Sequence, residues 1–337
     1  MKHARTMALL ALVLVVSPTA PLHAQARASA DGGGTVQRIA LADGDTVAIT
    51  TTGAGPAVVI VPGLLGSHVS FRHVTDRLVA AGQRVLVIDP LGTGRSSRPK
   101  DGDYSLEAQA ARLAATLDAV GASDVILVCH SVGGSMCYRL ALRDPTGIRA
   151  IVAINAGPDE RAATPGLRFA MRFAPLARLF GGAGHARSRA TDGLKKSSFD
   201  AAWVTDDVVA RYTRPFTDMD ATFNALEGMA GARDTVPLVP RLADVLVPVR
   251  LLVGAAGRDG VTKDDEIEVL RGIPDFDVSR VADAGAYVQE ERPQAVVDVV
   301  LGLRVQRGAE RDIESLSAPG RRLCSAQQRS RSCHPRG

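Results

Sequence analysis

The chain has 337 residues, 46% of them hydrophobic and 4% aromatic, which is ample for a sizeable core and too poor in rings for a surface that stacks nucleobases. Its formal charge of +4 sits at the ends: Lys2 and Arg5 open the chain, and the stretch after Leu303 sets eight arginines against Glu310, Asp312 and Glu314. The body between is net negative, so no nucleic-acid partner is expected.

Residues 1–26 read as a secretory signal peptide. Lys2 and Arg5 form a positive n-region, Met7–Val16 an apolar h-region broken by Pro18 and Pro21, and Ala24-Gln25-Ala26 a cleavage site. Ten apolar residues are too few for an ordinary bilayer span. The expectation is an exported protein, periplasmic or secreted, with no stable membrane insertion after cleavage. Residues 27–34 read as a polar linker. Thr35–Leu41 and Asp45–Thr52 flank Asp43-Gly44, a hairpin-turn signal. Ala57–Val61, Arg84–Ile88, Val125–Val128, Ile148–Ile154, Val249–Val253 and Asp277–Ala282 are continuous apolar or β-rich runs, the pattern of strands buried on both faces.

Helical patterns separate these runs. The clearest places Leu106, Ala110, Leu113, Leu117 and Val120 on one face, with Ser105 as N-cap and Gly121 just past the end. Strands alternating with helices predict parallel βαβ units and an α/β class. The alternation holds over 35–156 and 246–303 and stops over 157–245. That segment is rich in Leu, Phe and Tyr, and it predicts an inserted helical cap roofing a pocket. Residues 304–337 lose apolar periodicity and read as a disordered tail. Cys129 and Cys137 are expected as buried thiols. Cys324 and Cys333 could pair with each other, and no metal-ligand spacing occurs.

Chemistry concentrates where one strand runs into a helix through Cys129-His130-Ser131-Val132-Gly133. This is the nucleophile elbow G-x-S-x-G with Cys in the first Gly place. Small residues two before and two after the Ser let it occupy a strained turn, with the Val132 N–H directed where an oxyanion would form. Upstream, Val61-Pro-Gly-Leu-Leu-Gly resembles the H-G-x-x-G oxyanion loop of α/β-hydrolases, with Pro62 in the His place. Asp89-Pro-Leu-Gly-Thr-Gly-Arg-Ser resembles that superfamily's D-x-x-G-x-G-x-S segment. In this order the motifs are similar to the α/β-hydrolase superfamily over residues 35–303. The resemblance implies a mostly parallel central sheet with helices on both faces and an inserted helical cap. It implies Leu64 as a second oxyanion donor and Asp259 as the acid that orients the base, with Asp264 and Asp265 as alternatives. It also implies no cofactor or metal.

The base should come last. Asp283-Ala-Gly-Ala-Tyr-Val-Gln-Glu-Glu-Arg-Pro293 resembles the superfamily's G-H-x-x-x-x-E-x-P motif, most nearly its epoxide hydrolase, haloperoxidase and esterase forms, but Ala286 stands in the His place. A hydroxyl at neutral pH is a weak nucleophile without a base. His130, His68, His73 and His185 are each expected to be structural or solvated, with His130 directed away from the Ser. A Ser nucleophile argues against the dehalogenase and epoxide hydrolase branches, which use Asp there. The implied function is a serine hydrolase of carboxylic esters or related small acyl compounds, its activity weakened by Ala286. The alternative is a binding or scaffold protein that keeps the pocket and has lost turnover.

Overall fold

The computed structural model describes residues 25–28, 34–64, 66–173 and 183–317. Residues 1–24, the tail after 317 with Cys324 and Cys333, and the His185 side chain lie outside the described part.

Among the described residues, nine strands form one sheet. They are β1 (Gln25–Ala28), β2 (Thr35–Ala40), β3 (Thr46–Thr52), β4 (Ala57–Val61), β5 (Arg84–Asp89), β6 (Val125–His130), β7 (Ile148–Ile154), β8 (Val249–Gly254) and β9 (Phe276–Val281). Their spatial order is β1-β2-β3-β5-β4-β6-β7-β8-β9. The pairings from β1 to β5 are antiparallel, and the rest are parallel. Asp43-Gly44 makes the β2–β3 turn, where Gly44 takes φ 84° and the Asp43 carboxylate accepts the Asp45 N–H. β4 is buried at every position, as its unbroken apolar run requires. From β4 the chain winds to β5 on one side and then crosses to β6 on the other. This switch point opens a crevice at the carboxyl ends of β4 and β6.

Helices cover both faces. α2 (Leu106–Ala119) and α3 (Val132–Arg143) close one side with Leu106, Leu113, Leu117, Tyr138 and Leu140. α1 (Arg72–Ala80) and α10 (Pro293–Ser317) close the other with Val74, Leu78, Val296, Val297 and Val300. The Ser105 hydroxyl accepts the Ala108 N–H, so it caps α2. Between β7 and β8 lie α4 (Pro165–Met171), α5 (Ala183–Ser197), α6 (Asp206–Tyr212) and α7 (Met219–Gly231), with no strand among the described residues. After β8 come α8 (Asp264–Leu270) and the single turn α9 (Val288–Glu291).

Three expectations need correction. Arg27 and Ala28 of the expected linker belong to β1, which pairs with β2 along the sheet edge. The helix that starts at Pro293 continues to Ser317, well into the expected disordered tail, because its Arg- and Glu-rich turns remain good helix formers after the apolar stripe ends. β9 is not buried on both faces: it is the far edge strand, and its positions are only partly covered.

Candidate active site

Ser131 stands between β6 and α3 with φ 51° and ψ −131°, a conformation L-residues rarely adopt. Its N–H donates to Ile154 O (3.0 Å), and its carbonyl accepts the Gly134 N–H (2.8 Å). The turn is pinned on both sides. A Cβ on Gly133 would come within 2.6 Å of Val61 O and 3.0 Å of Pro62 O, and one on Gly134 would meet Ala156 Cβ at 2.3 Å. The small residues after Ser131 are therefore a packing necessity. Val132 is the first residue of α3, so its amide is one of the donors a helix leaves without an intrahelical acceptor.

The loop after β4 lies directly on this turn. A Cβ on Gly63 would sit 3.0 Å from Ser131 Cβ and 2.9 Å from His130 O, so only glycine permits the approach. Gly66 N–H donates back to Gly63 O (2.9 Å), which closes a tight turn around Leu64. Ser131, Val132 and the Leu64 turn thus meet at the carboxyl ends of β4 and β6.

Ala286 follows β9 and is buried. Its carbonyl accepts from His130 Nε2 and from Asn155 Nδ2, each at 3.0 Å, and its N–H donates to Ser197 O of the cap (2.8 Å). A carbonyl only accepts, so His130 carries its proton on Nε2. Burial pushes the His130 imidazole down to about 4, partly offset by that bond. Asn155, buried and at φ 41°, also donates to Gly285 O and accepts the Gly254 N–H, so it ties the ends of β7 and β8 to the loop after β9. Glu291 holds the same loop from the other side by accepting the Gly285 N–H (2.7 Å) and the Asp200 N–H of the cap (2.8 Å).

The acid positions are less ordered around the site. Asp259 belongs to the loop that touches Ala286: a Cβ on the adjacent Gly260 would lie 3.2 Å from Ala286 Cβ. Its carboxylate, however, is 64% exposed and pairs with Lys196 Nζ of α5 at 2.7 Å. Asp264 and Asp265 open α8 on the surface, and Asp264 pairs with Arg280. Ser131, Val132, the Leu64 turn and the Ala286 backbone are brought together. The Asp259 carboxylate is engaged by Lys196 instead.

A cavity of about 190 Å³ lies over this region, walled by Leu64, His130, Tyr287 and Gln289 from the core and Leu194, Tyr212 and Phe216 from the cap. Trp203 packs against both Tyr287 and Tyr212, with ring centroids 5.4 and 6.0 Å away. Glu290 beneath the cavity accepts from Arg72 (2.7 Å) and the Tyr212 hydroxyl (2.8 Å). Among the described residues no group of His, Cys, Asp and Glu could hold a metal, and no helix is long and apolar enough to cross a membrane.

One feature departs from the sequence reading. Cys129 and Cys137 are joined by a disulfide rather than standing as separate thiols. The elbow folds α3 back over the end of β6 and brings their Cα atoms to 6.7 Å, within bridging range. His130 is structural, as expected: its imidazole bonds Ala286 O, and it also lines the cavity. Asn155 went unnoticed, although a polar residue ending an apolar strand run was the available signal.

The model of the α/β hydrolase fold family matches residues 56–293. The chain is 26% identical over 276 residues to a 2-hydroxy-6-oxononadienedioate/2-hydroxy-6-oxononatrienedioate hydrolase of Cupriavidus pinatubonensis, which covers 78% of this chain and 92% of that one. It is 36% identical to pig (Sus scrofa) bifunctional epoxide hydrolase 2 over only 104 residues, 31% of this chain and 19% of that protein. A solved α/β hydrolase fold protein from Burkholderia ambifaria superimposes with a TM-score of 0.65 at 25% identity, covering 83% of this chain and 100% of that one. With the family model spanning β4 to β9, the Ser131 elbow and the loop of Ala286, the chain belongs to the α/β hydrolase fold family.

Proposed function

We propose that this protein is an exported serine hydrolase of carboxylic esters or related small acyl compounds, working slowly because it lacks a triad base. Ser131 is the nucleophile. The Leu64 and Val132 amides receive the oxyanion, and Asp259 is the residual acid. The observation that carries this reading is the Ser131 backbone at φ 51° and ψ −131°, held against Gly63. Strain of that kind is retained where a turn must present a reactive group. Ser131 attacks the acyl carbon, the alcohol leaves with a proton, and water then releases the acid. A base would take the Ser131 proton and return it to the leaving group. His130 serves poorly: its Nε2 is committed to Ala286 O, and burial weakens the imidazole as a base. When a serine protease loses its triad, the oxyanion donors and binding alone leave roughly 10³–10⁴ over water.

Export is supported by the leader and by the buried Cys129–Cys137 disulfide, a bond that persists in oxidising compartments. Cleavage after Ala26 removes half of β1, an edge strand whose loss leaves the rest of the sheet paired. The binding-protein reading is favoured by one specific observation, the engagement of Asp259 by Lys196 in an exposed ion pair. A fluorophosphonate probe on the purified protein separates the two. Slow labelling mapped to Ser131 supports the hydrolase, and an unlabelled, folded protein favours binding without turnover.

A further inference from the structure

The cavity of about 190 Å³ beside the Leu64 turn matches the liquid volume of about six water molecules, so it suits a compound of one substituted ring rather than a long chain. Leu64, Leu194, Phe216 and the Tyr287 ring give it apolar walls. Three polar groups in the wall are engaged within the fold. The Ser70 hydroxyl donates to Ser67 O (2.6 Å), His130 Nε2 donates to Ala286 O (3.0 Å), and the Tyr212 hydroxyl donates to Glu290 (2.8 Å). Arg189, the one charged group in the wall, is exposed.

Gln289 is different. It comes from the α9 turn, is fully buried (0% exposed) and lines the cavity, yet neither its amide nitrogen nor its amide oxygen has a hydrogen-bond partner among the described residues. A buried polar group left unpaired is destabilising, and native interiors keep few of them. A side chain of similar length without these atoms, such as Met, would fill the same space without that penalty, so packing alone does not account for Gln289. Its amide presents a donor and an acceptor side by side. The complement is a group with the same two functions along one edge: a primary carboxamide, a carbamate or a lactam. Such a group accepts from Nε2 and donates to Oε1. A carboxylate, a ketone or a plain ester only accepts, and it leaves Oε1 unpaired.

We propose that Gln289 is a specificity-determining residue of this cavity, which takes a small, largely apolar compound bearing an amide-type N–H beside its C=O. The inference concerns what the cavity binds and holds whether or not Ser131 turns such a compound over. In the full chain, calorimetry compares benzamide with acetophenone and δ-valerolactam with cyclohexanone, pairs of similar shape in which only the first member donates. At least one amide is expected to bind on the order of tenfold tighter than its ketone, the scale set by pairing a buried acceptor rather than leaving it unmet. Gln289→Met should reduce that preference to about twofold or less. It should also leave the melting midpoint of the free protein unchanged or raised, because it removes two unpartnered polar atoms from the interior. Equal affinities within both pairs, no measurable binding of any of these compounds, benzoate binding tighter than benzamide, or a preference that survives Gln289→Met overturns the proposal. A midpoint several degrees lower in the variant does so too, since it means that the amide is bonded within the fold. The ligand comparison needs no variant, so it decides the matter even if Gln289→Met fails to fold. Probe labelling of Ser131 without an amide preference leaves the hydrolase reading standing and removes this one. An amide preference in a protein that the probe never labels does the reverse.

Discussion

The elbow around Ser131 and the loop around Ala286 face each other across the site, and different forces hold them. The elbow is fixed by backbone contacts: Gly63, Gly133 and Gly134 each leave no room for a methyl group. The loop of Ala286 is fixed by side chains from outside it, Asn155, Glu291 and His130, none of which bonds the side chain of residue 286. Replacing the elbow residues breaks the turn itself. Replacing the base leaves its seat standing. The contrast explains how a chain can keep the geometry of a hydrolase and lose the group that drives it.

The sharpest way to break this comparison is to refill the seat. Ala286→His is expected to raise hydrolysis of short aryl esters on the order of 10³-fold, the scale set by removal of a triad base, and Ser131→Ala in that background should abolish the gain. No gain in a well-folded variant would mean that the loop has drifted despite its clamps. Next is the acid response of His130. The unfolded imidazole titrates near 6.5 and the folded one near 4, so between these values the unfolded chain binds a proton that the folded chain refuses. Stability contributed by this group is therefore full above about pH 6.5 and lost as the pH falls toward 4, by on the order of 2–3 kcal/mol. Asp89 and Asp159, both raised by burial to about 6, act oppositely over pH 4–6. His130→Gln should thus make stability fall more steeply with rising pH over this range, as read by denaturant titrations at several pH values.

On the elbow side, Cys137→Ala removes the cross-link, which closes a short loop worth roughly 2–3 kcal/mol on the chain-entropy account. Thermal melts should shift downward, and reductant should lower the parent protein but not the variant. The smallest effect concerns the acid. Lys196→Ala frees the Asp259 carboxylate. It is expected to add about two- to tenfold in the Ala286→His background, the worth of one regained hydrogen bond, and nothing where residue 286 is Ala. Equal effects in both backgrounds would show that Asp259 does not serve position 286.

The strands around the site were legible because each core strand is an unbroken apolar run, and the elbow was legible because sterics demand small residues there. The loop after β9 could be placed by Gly285, Glu291 and Pro293, and the structure gives a reason for two of them. Glu291 accepts the Gly285 N–H, and a Cβ on Gly285 would come within 2.3 Å of Ser197 O. What escaped notice depends on contacts distant in sequence. The pairing of Asp259 depends on Lys196 on a cap helix, and the role of Asn155 on loops some 100 and 130 residues away. The disulfide escaped because a strand residue and a helix residue eight apart meet only once the elbow has folded. Edge position, which leaves β9 partly covered, is a property of sheet order and leaves no mark in a six-residue run.

The seam between cap and core has a mechanical consequence. Three contacts cross it at one place: Ala286 N–H to Ser197 O, the Gly285 backbone against Ser197, and Glu291 to the Asp200 N–H. Any widening of the cavity must rupture this seam or swing about it. The Tyr212 hydroxyl adds a further tie by bonding Glu290, a few residues along the chain from Ala286, so the cap is fastened to the core on the cavity side as well, and admitting a bulkier molecule costs at least one of these bonds.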